Sequence, residues 1–163
     1  MAGPVCGNGA KEQGEDCDDG NTLDCDSCPS DCHTAAADCT PETGAVRAPQ
    51  KVSLKLANGE PLTSANFCLK YPPKAVGFPG TGAIPARITG FTGQTSLADF
   101  NNSVKIAVLG RNALTELTLT VNFDLCNGQT APLPTAYSCA VVSASNAGTT
   151  IPAETVQCVP VAQ

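Results

Sequence analysis

Asp16, Asp18, Asp19, Asn21, Asp24, Asp26 and Asp31 fall within sixteen residues, with Glu15 just ahead of them. Carboxylates packed this densely repel one another unless a cation compensates. Calcium takes roughly six to eight oxygen ligands from carboxylates, amide side chains and backbone. Gly20, between Asp19 and Asn21, lets the chain turn tightly enough for side chains on both sides to face one point. Glu15, Asp18, Asp19, Asn21, Asp24 and Asp26 are therefore the candidate ligands, and Ca2+ is the expected cofactor. The spacing does not fit the EF-hand loop. The competing reading is a solvated acidic loop held by disulfides alone. Zinc is a third: Cys25-x-x-Cys28 followed by Cys32-His33 has zinc-like spacing. It would leave other cysteines unpaired, and the surrounding carboxylates suit a hard cation better.

Catalytic chemistry is harder to assemble. His33 is the single histidine and lies inside the cysteine-rich stretch, so a Ser-His-Asp arrangement has no base in the second half of the chain. The carboxylates there are Glu60, Asp99, Glu116, Asp124 and Glu154, with no aromatic cluster nearby to line a sugar cleft. The expectation is a protein that is not an enzyme. Sugar-binding faces generally present rows of Trp or Tyr. This chain has no Trp and only Tyr71 and Tyr137, so carbohydrate binding is the weaker alternative to protein binding.

The elements that must position these residues divide the chain in two. Residues 1–43 hold ten carboxylates against one lysine, a net −9, while residues 44–163 hold eight bases against five acids, a net +3. Val5 and Leu23 are the only large aliphatics of the first stretch, so it cannot fold by burying apolar surface. Its cysteines must do that work. Cys6, Cys17, Cys25, Cys28, Cys32 and Cys39 lie in the first part, and Cys68, Cys126, Cys139 and Cys158 in the second. Both counts are even, as independent frameworks of three and two disulfides would give. Six cysteines allow fifteen pairings and four allow three, which sequence does not resolve. A bridge closing about 15 residues is worth about 3 kcal/mol, enough when repeated to fold a segment without a core.

Ten cysteines in 163 residues point to an oxidising setting, extracellular or at the cell surface. Met1-Ala-Gly-Pro lacks the apolar core of an export signal, and the expectation is that such a signal has been removed. No run approaches the ~20 apolar residues of a membrane span. The basic residues are scattered and the balance acidic, so nucleic acid is not an expected partner.

After Gly44 the pattern has period two. Val52, Leu54 and Leu56 alternate with Lys51, Ser53 and Lys55; Phe67, Leu69 and Tyr71 follow, then Val104, Ile106 and Val108. The clearest strand runs from Leu117 to Leu125, with Leu117, Leu119, Val121, Phe123 and Leu125 on one side. Shorter strands are expected within residues 75–78, 84–91, 136–145 and 155–161. Turns are expected at Asn58-Gly59, Gly110-Arg-Asn112 and Asn127-Gly128, and a helical turn within residues 97–101. Asn101-Asn-Ser103 is a formal glycosylation acceptor that reads as an ordinary loop. Pro41 and Pro49 suggest a stiff connection between the two parts. The fold expected is mainly β: a small, irregular, disulfide-rich N-terminal module, residues 1–43, then an antiparallel jelly-roll-like β-sandwich of about eight or nine strands, residues 44–163.

Two resemblances bear on this reading. Cys6-Gly-Asn-Gly9, Gly14-Glu-Asp-Cys-Asp-Asp-Gly-Asn21 and the cysteines to Cys32 resemble the Myxococcus-type cysteine-rich repeat of secreted and surface proteins, similar units of which occur in pappalysin-type extracellular metalloproteases. The match covers residues 6–32. Where the family reads Gly-Asp-Gly-Cys this chain has Cys25-Asp26-Ser27-Cys28, and the added Cys25 is expected to pair with one of the outlying cysteines. The resemblance implies an extracellular structural or adhesive module with calcium dependence, and no catalytic activity. Over residues 48–161, Leu69-Lys-Tyr-Pro72, Ala75-Val-Gly-Phe78, the 104–109 strand and Leu117-Thr-Leu-Thr-Val-Asn-Phe123 resemble the cohesin and carbohydrate-binding-module family of jelly-roll sandwiches. That implies protein–protein binding on one sheet face. The expected partners are another extracellular protein or, in a self-assembling fibre or coat, copies of the chain itself.

Overall fold

Alternation of apolar and polar side chains lets a strand bury one face and solvate the other, and the period-two runs do this. The computed structural model describes residues 3–26, 28–34, 39, 41, 47–78, 87–100 and 102–162. One sheet contains β1 (Arg47–Leu56), β3 (Val76–Gly77), β4 (Ile88–Thr89), β7 (Leu117–Leu125) and β10 (Val156–Val161). Its order is β10-β1-β7-β3, with β4 pairing further along the same edge of β7. The other contains β2 (Leu62–Lys70), β5 (Gly93–Asp99), β6 (Ser103–Leu114), β8 (Ser138–Asn146) and β9 (Thr149–Ile151), in the order β5-β6-β2-β8-β9. Every pairing is antiparallel. The protein is thus mainly β, two five-stranded antiparallel sheets sharing one core.

Val52, Leu54, Phe67, Leu69, Ile106, Leu119 and Phe123 are among the side chains that fill that core. Phe123 is its centre, with ring centroids 5.0 Å from Tyr71, 4.9 Å from Phe78 and 5.6 Å from Tyr137. Asp124 lies on the solvent parity of β7 yet is buried, because Arg47 and Arg87 close over it at 2.8 and 2.7 Å. Pro49 sits inside β1, a residue that a ladder tolerates where one side is unpaired. There β1 is paired with β7 alone, since β10 reaches only to Lys51. The Gln50 side-chain amide donates to the Val161 carbonyl where β10 runs out.

Several expectations are corrected. Residues 97–99 belong to β5 and form no helical turn, because the Leu97 side chain packs against the core from an extended strand. Gly110-Arg-Asn112 does not turn: β6 continues through it and the chain crosses between sheets at Thr115-Glu116. Of the 84–91 strand, Ile88–Thr89 is extended; residues 84–86, Asn101 of the acceptor motif and most of the 40–44 junction lie outside the described residues.

The largest correction concerns the disulfides. Cys6–Cys32 and Cys17–Cys28 close the N-terminal segment on itself, and Cys139–Cys158 joins β8 to β10. Cys25–Cys68 and Cys39–Cys126 run from that segment into the sandwich. The frameworks are not independent. Two crossing bridges take an even number from each side, so even counts could not distinguish the two arrangements. Cys25 pairs with Cys68 of β2, outside residues 6–32. No cysteine among the described residues is free. No helix among them is long and apolar enough to cross a membrane.

Candidate functional site

The acidic segment is built around Asp18. Its Oδ2 accepts the Gly7 and Asn8 amides at 2.9 and 3.2 Å, and its Oδ1 accepts those of Gly9 and Gly20, both at 2.8 Å. Four donors converge only because the chain turns left-handed at Gly7, Gly9 and Gly20, with φ of +85°, +82° and +83°. A Cβ on Gly7 would lie 2.8 Å from the Asn21 carbonyl oxygen and from the Thr22 methyl. Cys6-Gly-Asn-Gly9 and Asp18-Asp-Gly20 are therefore two arms wrapped around one carboxylate. The Gly20 amide, followed by those of Gly9, Gly7 and Asn8, holds the Asp18 carboxyl below its ordinary value of 3.8 against a smaller desolvation effect.

The other candidate ligands do similar local work. Asp19 accepts the Asn21 amide, Asn21 that of Leu23, Asp26 that of Cys28, and Asp31 that of His33, each two residues on. These turns satisfy backbone donors in a segment without ladders. Asp24 faces the sandwich: one oxygen accepts the Ser30 amide and the other meets Lys70 Nζ at 2.6 Å. Burial opposes ionisation of Asp24, but Lys70 and Ser30 together outweigh it and lower its pKa.

Among the described residues, one group of acidic and cysteine side chains lies within ligating distance, Glu15, Asp18 and Cys32. Cys32 is disulfide-bonded and offers no thiolate. Asp19, Asp24 and Asp26 are not part of this group, and the Asn21 side chain accepts the Leu23 amide. One atom there lacks a partner. Glu15 is 8% exposed; its Oε2 accepts the Glu12 amide, and its buried Oε1 accepts no hydrogen bond from the described residues. His33 stands 3.7 Å from Asp16 on the exposed rim, so the zinc-like spacing does not bring it to the cysteine sulfurs.

Three of the five carboxylates of the sandwich are taken up structurally. Asp99 accepts the Tyr71 hydroxyl at 2.7 Å, Glu116 binds the Ser53 hydroxyl, and Asp124 holds two arginines. Both tyrosines are buried. Burial, reinforced by Asp99, pushes the Tyr71 phenol well above its ordinary range, and burial takes Tyr137 up to about 12. Neither offers a ring face to a sugar.

What the joined segments create is a groove. Thr22 and Leu23 form one wall, β2 contributes Cys68 and Lys70, and β8 contributes Ala140 and Val142, around a volume of about 450 Å³. Leu23 is 62% and Val142 43% exposed. The Cys25–Cys68 bridge and the Asp24–Lys70 ion pair fix wall to floor. Sequence reasoning missed this place: Lys70 and Val142 carried no motif, and the signal was the extra Cys25, whose partner spacing does not name. No family model matches the chain, no curated protein matches its sequence, and no solved structure matches its fold.

Proposed function

We propose that this chain is a non-catalytic protein-binding or structural module of an extracellular or cell-surface protein, and that it engages another extracellular protein through the groove between the acidic segment and β8. The observation that carries the reading is the pair of exposed aliphatic side chains, Leu23 and Val142, held on opposite sides of a groove by a disulfide beneath it. Five disulfides suit an oxidising extracellular setting. An aliphatic or aromatic anchor entering such a depression is the usual core of a protein interface. The cohesin-like pattern of the strands favours the same class. Carbohydrate binding is disfavoured by the burial of both tyrosines.

The test is capture of a partner from the extracellular proteins of the source, followed by titration of that purified partner. Val142→Asp and Leu23→Asp are expected to weaken binding at least about tenfold. Equal affinity for wild type and both variants would remove the groove from the interface. Binding to a glycan array without a protein partner would transfer the reading to carbohydrate.

A second reading, a calcium-stabilised segment, rests on the unpartnered Glu15 Oε1 beside Asp18. Ligand that binds only the folded state at a hundredfold excess over Kd adds about 2.7 kcal/mol. Chelation should therefore lower the unfolding midpoint of the oxidised chain, and Glu15→Gln should abolish the difference. An identical midpoint with calcium and with chelator would sink this reading. The comparison belongs at neutral pH. The folded-state pKa of Asp18 is depressed, so its contribution is fully present above about 3.8 and is lost as pH falls through the lower folded value.

A further inference from the structure

Sheet edges expose unpaired amides and carbonyls, and proteins blunt them with prolines, charges or very short strands. Most of the edges here are blunted or tethered. β10 carries Pro160, β9 has three residues, and β3 and β4 have two each. β8 beyond its short pairing with β9, Ser138–Ser143, is tied to β10 by Cys139–Cys158. The remaining edge is β5, Gly-Gln-Thr-Ser-Leu-Ala-Asp, seven residues without proline, lysine or arginine. It is paired with β6 along its whole length, from Gly93↔Gly110 to Asp99↔Val104, and among the described residues no backbone pairs on its other side. Gln94, Ser96 and Ala98 are exposed on its outer face.

We propose that β5 is the docking edge for a second copy of this chain, the two β5 strands pairing antiparallel about Ser96 so that two five-stranded sheets become one. The strand is self-complementary in this register. Ser96 faces Ser96, Thr95 faces Leu97, Gln94 faces Ala98, and Asp99, the one charged residue, faces Gly93. No like charges meet. Asp99 is held on its own chain by the Tyr71 hydroxyl and does not block the approach. Such a contact uses the same surface on both copies and closes as a two-fold dimer, with main-chain hydrogen bonds supplying the recognition. A shallow depression beside the edge, lined by Asn66, Gln94, Ser96, Ala107 and the half-exposed Leu109, continues across the axis. The groove proposed for a different protein lies at the β8 side of the same sheet, so the two interfaces do not compete.

The test is light scattering of the full oxidised chain against concentration. Wild type is expected to double in mass as concentration rises. Opposed side chains across an antiparallel pair have Cβ atoms about 4.5–5.5 Å apart, so Ser96→Lys and Ser96→Glu each place like charges face to face and should remain monomeric. An equimolar mixture of the two should recover the dimer, which misfolded variants would not do. Val142→Asp should dimerise as wild type does, so loss of the partner groove and loss of this edge are told apart. A wild-type chain that stays monomeric at the highest soluble concentration overturns the proposal. So does a Ser96→Lys chain that dimerises like wild type, or a mixture that stays monomeric.

Discussion

Phe123→Ala is expected to lower unfolding free energy by about 3–5 kcal/mol, the range for deleting a fully buried aromatic. Phe123 is 0% exposed, and its ring contacts Tyr71 just after β2, Phe78 just after β3 and Tyr137 just before β8. It therefore ties β7 of one sheet to segments that lead into the other. Removing it takes a partner from three rings at once, and Tyr71 also positions Asp99. A cavity between two disulfide-braced sheets has little freedom to collapse, which places the cost toward the upper end. Denaturant unfolding with the disulfides intact measures it. For a chain of this size the thermal midpoint should fall by roughly 10 °C or more. A loss under about 1 kcal/mol would mean that the aromatic cluster is not the organising contact of the core. The exposed Val142→Ala should stay within about 0.5 kcal/mol.

The strands that carry this core were legible because burial on one face writes itself as period two. Val52, Leu54 and Leu56 of β1 and the alternate residues Leu117, Leu119, Val121 and Phe123 of β7 needed no tertiary information, and all are buried. β5 was not legible. Gly93–Asp99 buries only part of one face and contains few apolar residues, so its alternation is faint. The role of Asp18 was half legible. Density of carboxylates and the flanking glycines marked an oxygen-rich turn, but amide donors from a segment nine to eleven residues away satisfy the same oxygens that a cation would. Composition counts charges and is blind to backbone N–H groups. The groove was not legible at all, because Leu23 and Val142 are brought together by the Cys25–Cys68 bridge and the Asp24–Lys70 pair, and cysteine parity is the same whether no bridge crosses or two do.

That crossing has a measurable consequence. Cys39→Ser with Cys126→Ser removes a bridge between residues 87 apart, the longest separation of the five. On the chain-entropy account a loop of this length is worth about 4–5 kcal/mol, so the double variant should lose about that much stability. The loss should be uneven. Cys39 and Pro41 lie against Gly77, where a Cβ would meet the Pro41 ring at 3.4 Å. The Cys126 amide bonds the Ala75 carbonyl beside them. Hydrogen exchange should therefore rise first in residues 75–77 and at the end of β7. The Asp18 turn should keep its protection, because Cys6–Cys32, Cys17–Cys28 and Cys25–Cys68 remain and the Asp24–Lys70 pair still touches β2. A charge split of −9 against +3 would by itself suggest two modules that unfold separately. If they did, the double variant would leave the sandwich midpoint unchanged. A single shifted transition would instead show that the acidic segment and the sandwich fold as one cooperative unit, as a groove with one wall from each requires.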